Sequence, residues 1–191
     1  AQLDHDGTGN LRVIRGPLGR EGLALHALRV GEGTQAERLA WLATAIPTLV
    51  GAGIVYCLTV PDTERVAGFL REHGIEALAY SGQATNEERI AAEDALLANR
   101  IKVLVATSAL GMGFDKPDLG FVVHLGAPSS PIAYYQQVGR AGRATDSAEV
   151  ILLPGAEDQD VWRYFASVAF PSESMVRNVI GALEPGRLGC A

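Results

Sequence analysis

The sequence predicts an α/β domain in which a mostly parallel, doubly wound sheet is covered by helices on both faces. Short apolar segments rich in β-branched residues alternate with helical patterns at intervals of about 25 residues. The apolar segments are continuous rather than alternating with polar residues, which is typical of strands buried on both faces. The chain has 191 residues, of which 48% are hydrophobic, and can therefore bury the core that such a domain needs.

Six strands are predicted as apolar segments bounded by turn-forming or helical residues. They are Leu25–Val30, Gly53–Leu58, Ala77–Tyr80, Lys102–Ala106, Phe121–Leu125 and Glu149–Leu153. Four helices have recognisable starts. Thr34 can cap a helix ending at Ile46, Pro61 opens one ending near Gly74, Thr85 begins one with Thr-x-x-Glu spacing, and Pro131 lies in the first turn of the last.

The chain is predicted to have three parts, and we expect it to be a piece of a longer protein because it begins with Ala1 in mid-segment. Residues 1–24 are predicted to be an inter-domain linker, residues 25–155 the sheet domain, and residues 156–191 a helical extension leading to a further module. No apolar run approaches the roughly 20 residues that a membrane span needs. The two widely separated cysteines favour a reducing, cytoplasmic location.

The charge distribution favours a local anion site on an acidic body. The net charge is −6, but residues 100–145 contain five basic and two acidic side chains, a local charge of +3. No acidic residue lies between Leu119 and Thr145. This pattern is that of a confined site for an anion and not of a basic face that coats DNA.

Two nucleotide-binding motifs are absent from the sequence. A phosphate-binding loop needs a lysine directly after a glycine, whereas Lys102 follows Ile101 and Lys116 follows Asp115. The dinucleotide fingerprint G-x-G-x-x-G followed by an acidic residue is also missing. We therefore expect that the chain by itself neither hydrolyses ATP nor acts as a dehydrogenase.

An arginine pair follows the last predicted helix. Arg140 and Arg143 stand three residues apart, separated by alanine and glycine, just after a helix that Gly139 interrupts. Arginine is always charged and binds phosphate oxygens bidentately. The pair can therefore bind a polyphosphate that is held in the phosphate-binding loop of another domain. By itself, the pattern is equally compatible with a solvated glycine-arginine turn.

Several motifs together resemble superfamily 2 helicases of the RecQ type. The residues Gln136–Arg143 resemble motif VI, Val105–Pro117 resemble motif V in its RecQ form, Gly53–Cys57 resemble motif IV, and Ala79–Gly82 resemble the turn after the next strand. The resemblance covers about residues 25–154. It implies a three-layer RecA-like domain, the second of two motor domains, that lacks its own phosphate-binding loop.

The resemblance implies roles for individual residues. Arg143 would be the arginine finger that reaches the γ-phosphate, Arg140 would face the phosphates, and Gln136 would couple the nucleotide to the motor. Asp115 would approach the ribose, with Gly113 leaving room for it, although many RecQ proteins have asparagine at the position of Asp115. ATP and Mg²⁺ would be held mainly by the first motor domain, and no metal site is expected in this chain.

Nucleic-acid contacts are implied where strands end. The loop after Cys57, with Leu58 and Thr59, and the residues Ser81, Gly82 and Thr107 would touch phosphates of the tracked strand. RecQ proteins often have histidine at the position of Ser81. The implied partners are single-stranded and forked DNA and the first motor domain of the same protein, in the service of DNA repair or recombination.

The function implied by the resemblance is a 3′-to-5′ ATP-dependent DNA helicase, and three alternatives are open. An RNA helicase of the same superfamily would prefer ribose-containing strands. A non-motor binding module would not need Arg143. A small-molecule enzyme with a dinucleotide-binding fold would need the missing glycine fingerprint. Among the remaining residues, Cys57 and His124 are predicted to be structural. Tyr134 and Tyr135 are predicted to pack a helix onto the sheet, with stacking on nucleic-acid bases as the alternative. In the family that the motifs resemble, Cys190 would be the first zinc ligand of a following module.

Overall fold

A six-stranded parallel sheet forms the centre of the computed structural model, which describes residues 22–110, 113–169 and 173–182. The order of the strands is β1-β6-β5-β2-β4-β3, and every neighbouring pair is parallel. The strands are β1 (Leu23–Ala27), β2 (Gly53–Cys57), β3 (Ala77–Tyr80), β4 (Val103–Ala106), β5 (Phe121–Leu125) and β6 (Ala148–Leu153). The predicted doubly wound α/β fold is confirmed.

The predicted helix starts are also confirmed, except that the second helix begins at Val60, one residue before Pro61, and is capped by Thr59. Thr34 and Thr85 both form capping boxes, with Glu37 and Glu88 as the reciprocal partners, and the hydroxyl of Ser130 caps the helix that begins at Pro131. A short 3₁₀ turn, Ile46–Thr48, follows the first helix. The helices are α1 (Gln35–Ala45), α2 (Val60–Glu72), α3 (Asn86–Leu97), α4 (Pro131–Val138), α5 (Asp158–Val168) and α6 (Glu173–Ala182).

The sheet separates two apolar clusters and gives the domain three layers. On one face, side chains of α1 and α2, among them Leu42 and Leu70, pack on Val55 and Phe121. On the other face, α3 and α4 pack on side chains of the same strands that point the opposite way, such as Ile54 and Leu104. Successive side chains of a strand face opposite sides, so covering both faces requires apolar residues at every position. The continuous apolar segments of the sequence have this cause.

The first strand differs from its predicted bounds. Leu25–Val30 was expected, whereas β1 runs from Leu23 to Ala27, so the sheet begins inside the segment that was expected to be linker. The pairing of Leu23 with Ala148 on β6 sets this register. β1 lies at the edge of the sheet and is partly exposed. Its apolar pattern is therefore short, and the strand is determined by its partner more than by its own residues.

The helix α5 is tied to the carboxyl-terminal edge of the sheet. The buried carboxylate of Asp158 accepts hydrogen bonds from the backbone N–H groups of Ala127 (2.8 Å) and Gly155 (3.0 Å). The indole of Trp162 donates to the carbonyl of Ala127 at 2.9 Å.

In contrast to α5, every residue of α6 is exposed. Of the helices that the structure describes, none combines the length and apolar character of a membrane span.

Candidate nucleotide and nucleic-acid site

The helix α4 and the turn after it carry the predicted motif VI residues. Ser130 caps the helix through the backbone N–H of Ala133 at 3.1 Å, and Gly139 ends it after eight residues. The backbone then passes through Gly142, whose φ of +66° is rare for residues with a side chain. This turn directs the chain back toward the helix, so that the side chain of Arg143 donates from Nε to the carbonyl of Gly139 at 3.1 Å.

One open cleft brings together all five residues that were predicted to serve the nucleotide. The cleft lies between α4 with its following turn and the loop after β4, and Ser108 and Tyr135 also line it. The five predicted residues in its wall are Gly113, Asp115, Gln136, Arg140 and Arg143. They come from two segments about 25 residues apart in sequence. The segments meet because the loop after β4 and the helix α4 lie against the same face of the sheet.

The guanidinium group of Arg140 is held by the loop after β4. It donates to the carbonyl of Phe114 at 2.9 Å and to the carbonyl of Leu110 at 3.0 Å, and the residue is half-buried. These bonds connect the predicted motifs V and VI directly. Arginine has five N–H donors in a planar fork, so such a side chain can hold the loop and still present donors to the cleft.

Arg143 and Asp115 form an ion pair across the cleft. The Nη1 atom of Arg143 lies 2.9 Å from Oδ1 of Asp115, and the two side chains are 42% and 54% exposed. Exposed pairs of this kind contribute about 0–1 kcal/mol. Gly113 lies beside them at the rim of the cleft, where an added methyl group would meet no atom of the described residues within 4 Å.

The predicted nucleic-acid contacts lie at the carboxyl ends of three neighbouring strands. The register pairs Tyr56 with Ala106 and Ala106 with Tyr80, so the residues after β2, β4 and β3 stand in a row. Thr107 follows β4 and Ser81 follows β3, and both residues are buried. Their hydroxyl oxygens accept backbone N–H groups, from Ala109 at 3.2 Å and Gln83 at 3.3 Å. Each hydroxyl still has a hydrogen that can be donated to a phosphate.

The third member of the row has a different local role. Thr59 caps α2 by accepting the N–H of Asp62, and its hydroxyl hydrogen is donated to the carboxylate of the same residue at 2.6 Å. Leu58 beside it is half-buried, and Gly82 at the other end of the row is exposed. The row and the cleft meet at β4, because Thr107 belongs to the row and the next residue, Ser108, lines the cleft.

A buried histidine under α4 was predicted to be structural, but its partner was not recognised from the sequence. His124 is fully buried at the end of β5, and its Nε2 lies 3.0 Å from Oε1 of Gln137. Its ring lies between those of Tyr56 (centroids 5.5 Å apart) and Tyr134 (5.0 Å). Burial lowers the pKa of His124 to about 4, against the opposing effect of the bond to Gln137.

The remaining predictions for single residues have mixed outcomes. Cys57 is buried and burial raises the pKa of its thiol, as expected for a structural residue. Tyr134 packs on the apolar cluster, whereas Tyr135 is 66% exposed and lines the cleft, so the packing predicted for Tyr135 is wrong. Cys190 lies outside the described residues. Within residues 22–110, 113–169 and 173–182, no three His, Cys, Asp or Glu side chains are grouped to hold a metal ion.

Two buried charges were not recognised from the sequence. Lys116, in the motif V segment, is buried and its ammonium donates to Asp118 at 2.8 Å. Arg38 of α1 is also buried, pairs with Glu157 and donates to the carbonyl of Leu153. An apolar pattern does not reveal such residues, because a long charged side chain in a helix or loop is usually exposed.

Comparison with known proteins establishes the class of this domain. The model of the helicase conserved C-terminal domain family matches residues 40–145. This match covers more than half of the 191 residues, and the chain belongs to that family. The matched range contains all the residues of the cleft that the sequence predicted and the row of strand ends beside it.

The relatives of this chain include helicases of the RecQ type, so the resemblance seen in the motifs is confirmed. The chain is 44% identical over 107 residues to the ATP-dependent DNA helicase Q1 of Pongo abelii, covering 56% of this chain and 16% of that protein. It is 41% identical over 102 residues to the ATP-dependent DNA helicase RecQ of Pasteurella multocida, covering 53% of this chain and 16% of that protein. The chain thus spans about a sixth of the length of these relatives.

Solved structures agree with the fold. The RNA helicase Prp28 of Chaetomium thermophilum, in a crystal structure with ADP, superposes with a TM-score of 0.63 at 28% identity. The alignment covers 80% of this chain and 38% of the Prp28 chain. The RecA-like, three-layer architecture that the motifs implied is therefore confirmed.

Proposed function

We propose that this chain is the second motor domain of an ATP-dependent 3′-to-5′ DNA helicase and that it completes an ATP site in trans to a first RecA-like domain. The observation that carries the proposal is the cleft in which Gln136, Arg140, Arg143 and Asp115 meet beside the row of strand ends. The sequence has an arginine pair but no phosphate-binding loop. An arginine pair without a phosphate-binding loop can act in catalysis when another domain provides that loop.

The ATP site would form when the cleft faces the first domain. That domain would hold Mg²⁺ and most of the nucleotide, while Arg143 leaves Asp115 and donates to the γ-phosphate. The charge that develops on the phosphoryl oxygens during hydrolysis is then neutralised by a guanidinium group, which accelerates such reactions by about 10³–10⁵. Asp115, once released, is available to the ribose hydroxyls. Gln136, which belongs to α4, would couple nucleotide binding to the position of that helix.

The nucleic-acid track would follow the ends of β2, β4 and β3. The hydroxyls of Thr107 and Ser81 and backbone groups at Leu58, Thr59 and Gly82 would contact phosphates without reading the bases. Because Thr107 and Ser108 are consecutive, closure of the cleft on ATP would also move Thr107 and the strand ends beside it. Cycles of closing and opening would step the domain along single-stranded DNA and open a forked duplex ahead of it.

An RNA helicase is the second candidate, because the similar structure of Prp28 is described as that of an RNA helicase. Phosphate contacts alone do not distinguish the two nucleic acids, since RNA differs by the 2′-hydroxyl. The relatives described as DNA helicases have higher identity, 41% and 44%, and favour DNA. A preference for RNA in the experiment below would reverse this choice.

The test is ATP hydrolysis by this chain and by a longer protein that includes the first motor domain, each with single-stranded DNA or RNA. We expect no turnover by the chain and DNA-stimulated turnover by the longer protein. Arg143→Ala should lower that turnover by about 10³-fold or more. Arg163→Ala is the matched control, because Arg163 forms an exposed ion pair on α5 away from the cleft.

Two outcomes would contradict the proposal. Equal turnover by the longer protein with and without Arg143 would remove the finger assignment and favour a binding module that does not use ATP. Turnover by the 191-residue chain alone would show that the cleft is a complete ATP site. Unwinding of substrates with a 3′ or a 5′ single-stranded tail would then test the direction of movement separately.

A further inference from the structure

His124 connects three elements around the cleft through one buried ring. It is the penultimate residue of β5, its ring lies next to that of Tyr56 from β2, and it contacts Tyr134 and Gln137 on α4. Tyr56, His124 and Gln137 line one pocket, and Gln137 also lines the neighbouring nucleotide cleft. The ring of His124 thus lies behind the wall of the nucleotide cleft.

The helix α4 has few buried side chains of its own. It is eight residues long, and Val138 is its only fully buried member. Ile132 and Tyr135 are 71% and 66% exposed. Apolar packing is not directional and tolerates rotation about the helix axis, whereas a hydrogen bond fixes both a distance and an angle. The bond from His124 to Gln137 is therefore a directional contact within α4 that can fix its rotation, in addition to the bonds that Arg140 makes after the helix ends.

We propose that His124 and Gln137 are positioning residues, whose hydrogen bond orients α4 so that Gln136, Arg140 and Arg143 face the nucleotide. The inference rests on the proposed function and deepens it. Gln137 directly follows Gln136 and precedes Arg140 by three residues, so a rotation of the helix at Gln137 displaces both. A displacement of about 1 Å in a catalytic group can lower a rate about 100-fold.

The chemistry of the pair suits a fixed contact. The ring of His124 is neutral because burial disfavours its charged form. Neutral imidazole has a single N–H, and with the amide oxygen of Gln137 as the acceptor this N–H is at Nε2. The ring of His124 is fully buried, so water has little access to the donor, while the acceptor Gln137 is half-buried.

The experiment measures kcat and KM for ATP of the longer protein, with saturating single-stranded DNA, in four variants. His124→Phe keeps a ring between the two tyrosines and removes the donor, and His124→Gln restores a donor near the position of Nε2. Gln137→Met removes the acceptor and keeps a side chain of similar length at a half-buried position. The fourth is the double variant His124→Phe with Gln137→Met, and thermal melting reports the folding of each.

We expect His124→Phe and Gln137→Met each to lower kcat about tenfold while KM changes less than about twofold, because the arginines act on the charge of the transition state. The double variant should resemble either single variant, since both remove one and the same bond. His124→Gln should recover most of kcat. A role limited to stability would lower the melting temperature without this separation of kcat from KM.

Other results would overturn the inference and also locate the failure. Full kcat in folded Gln137→Met, with loss of activity in Arg143→Ala, would reject the positioning role and leave the proposed function standing. Additive losses in the double variant would show that the two residues act separately. Absence of DNA-stimulated turnover in the unsubstituted longer protein would reject both the inference and the function on which it rests.

Discussion

Arg140 and Arg143 are separated by two residues in one turn, yet their guanidinium groups have different surroundings. Arg140 is half-buried and bound to the carbonyls of Leu110 and Phe114, so moving it would leave two acceptors without their donor. Arg143 is paired with Asp115 in an exposed position, where the pair contributes at most about 1 kcal/mol. Of the two, Arg143 is therefore the arginine that can exchange its partner for a phosphate at little cost.

Lys116 shows that a residue of a functional motif can have a structural task. It lies next to Asp115, but its ammonium is buried and donates to Asp118 instead of facing the cleft. The bond lowers the pKa of the Asp118 carboxyl, with a further contribution from the side chain of Asn99. The charges of Lys116 and Asp118, both included in the local count of +3, thus pair within the loop. The arginines contribute the charge of the cleft.

His124 predicts a dependence of stability on pH. Its pKa is lowered from 6.5 to about 4 in the folded chain, so between these values the unfolded chain binds more protons than the folded chain. The free energy of unfolding should therefore decrease as the pH falls through this window, by up to about 3 kcal/mol from this residue. Urea denaturation of the 191-residue chain between pH 4 and pH 7 measures the effect.

The control is the same series of measurements with the His124→Gln variant, because the glutamine side chain does not titrate in the window. The difference between the two pH profiles isolates His124 from the carboxyl groups of the chain. His26 and His73 are exposed and remain in both proteins, so their contributions cancel. Parallel profiles would mean that His124 is accessible to water and titrates normally.

At the scale of elements, helix starts place the site residues. The hydroxyls of Thr59, Thr85 and Ser130 each cap the helix that follows a strand end of the site. Each cap satisfies an N–H that the helix itself leaves without a partner. The loops between strand and helix are thereby held short and ordered, which keeps the ends of β2, β3 and β5 in fixed places.

Removing the cap of α3 should lower stability measurably. In Thr85→Ala the backbone N–H of Glu88 loses its acceptor, and we expect the free energy of unfolding to decrease by about 1 kcal/mol. Thr85→Ser keeps the hydroxyl and should retain most of the stability. Chemical denaturation of the three proteins checks this expectation, and equal midpoints for Thr85→Ala and the unsubstituted chain would show that α3 starts elsewhere in solution.

At the scale of the whole molecule, the two apolar clusters share the strands of one sheet. Ile54 and Val55 are neighbours on β2 but belong to opposite clusters, so neither cluster can form without the backbone that the other needs. Unfolding of the sheet and of the four helices that cover it should therefore be a single transition. The exposed α6 is outside this unit.

A core substitution on one face should affect reporters on both. Leu104→Ala, in the cluster under α3 and α4, should lower the free energy of unfolding by about 2–5 kcal/mol. Trp41 packs against the other cluster, and its emission in a Trp162→Phe background reports that face. We expect the midpoint from Trp41 emission and the midpoint from far-ultraviolet circular dichroism to shift by the same amount. Separate midpoints would mean that the two faces unfold independently.

Much of the fold and of the candidate site could be predicted from local patterns. The strands β2 to β6 and the starts of α1, α3 and α4 follow from apolar segments and capping residues, which depend on neighbours close in sequence. The residues of the cleft were identified by motif spacing. In a parallel sheet, loops at the carboxyl ends of strands share one edge, so their meeting was also expected.

The tertiary structure decided what depends on distant partners. The bounds of β1 follow from its register with β6, the burial of Lys116 from the packing of the loop that carries it, and the exposure of Tyr135 from the rotation of α4. The pairing of Arg143 with Asp115 and of His124 with Gln137 joins residues 28 and 13 positions apart. Such contacts leave no periodic signal, because their energy depends on packing and burial, which exist only once the layers have assembled.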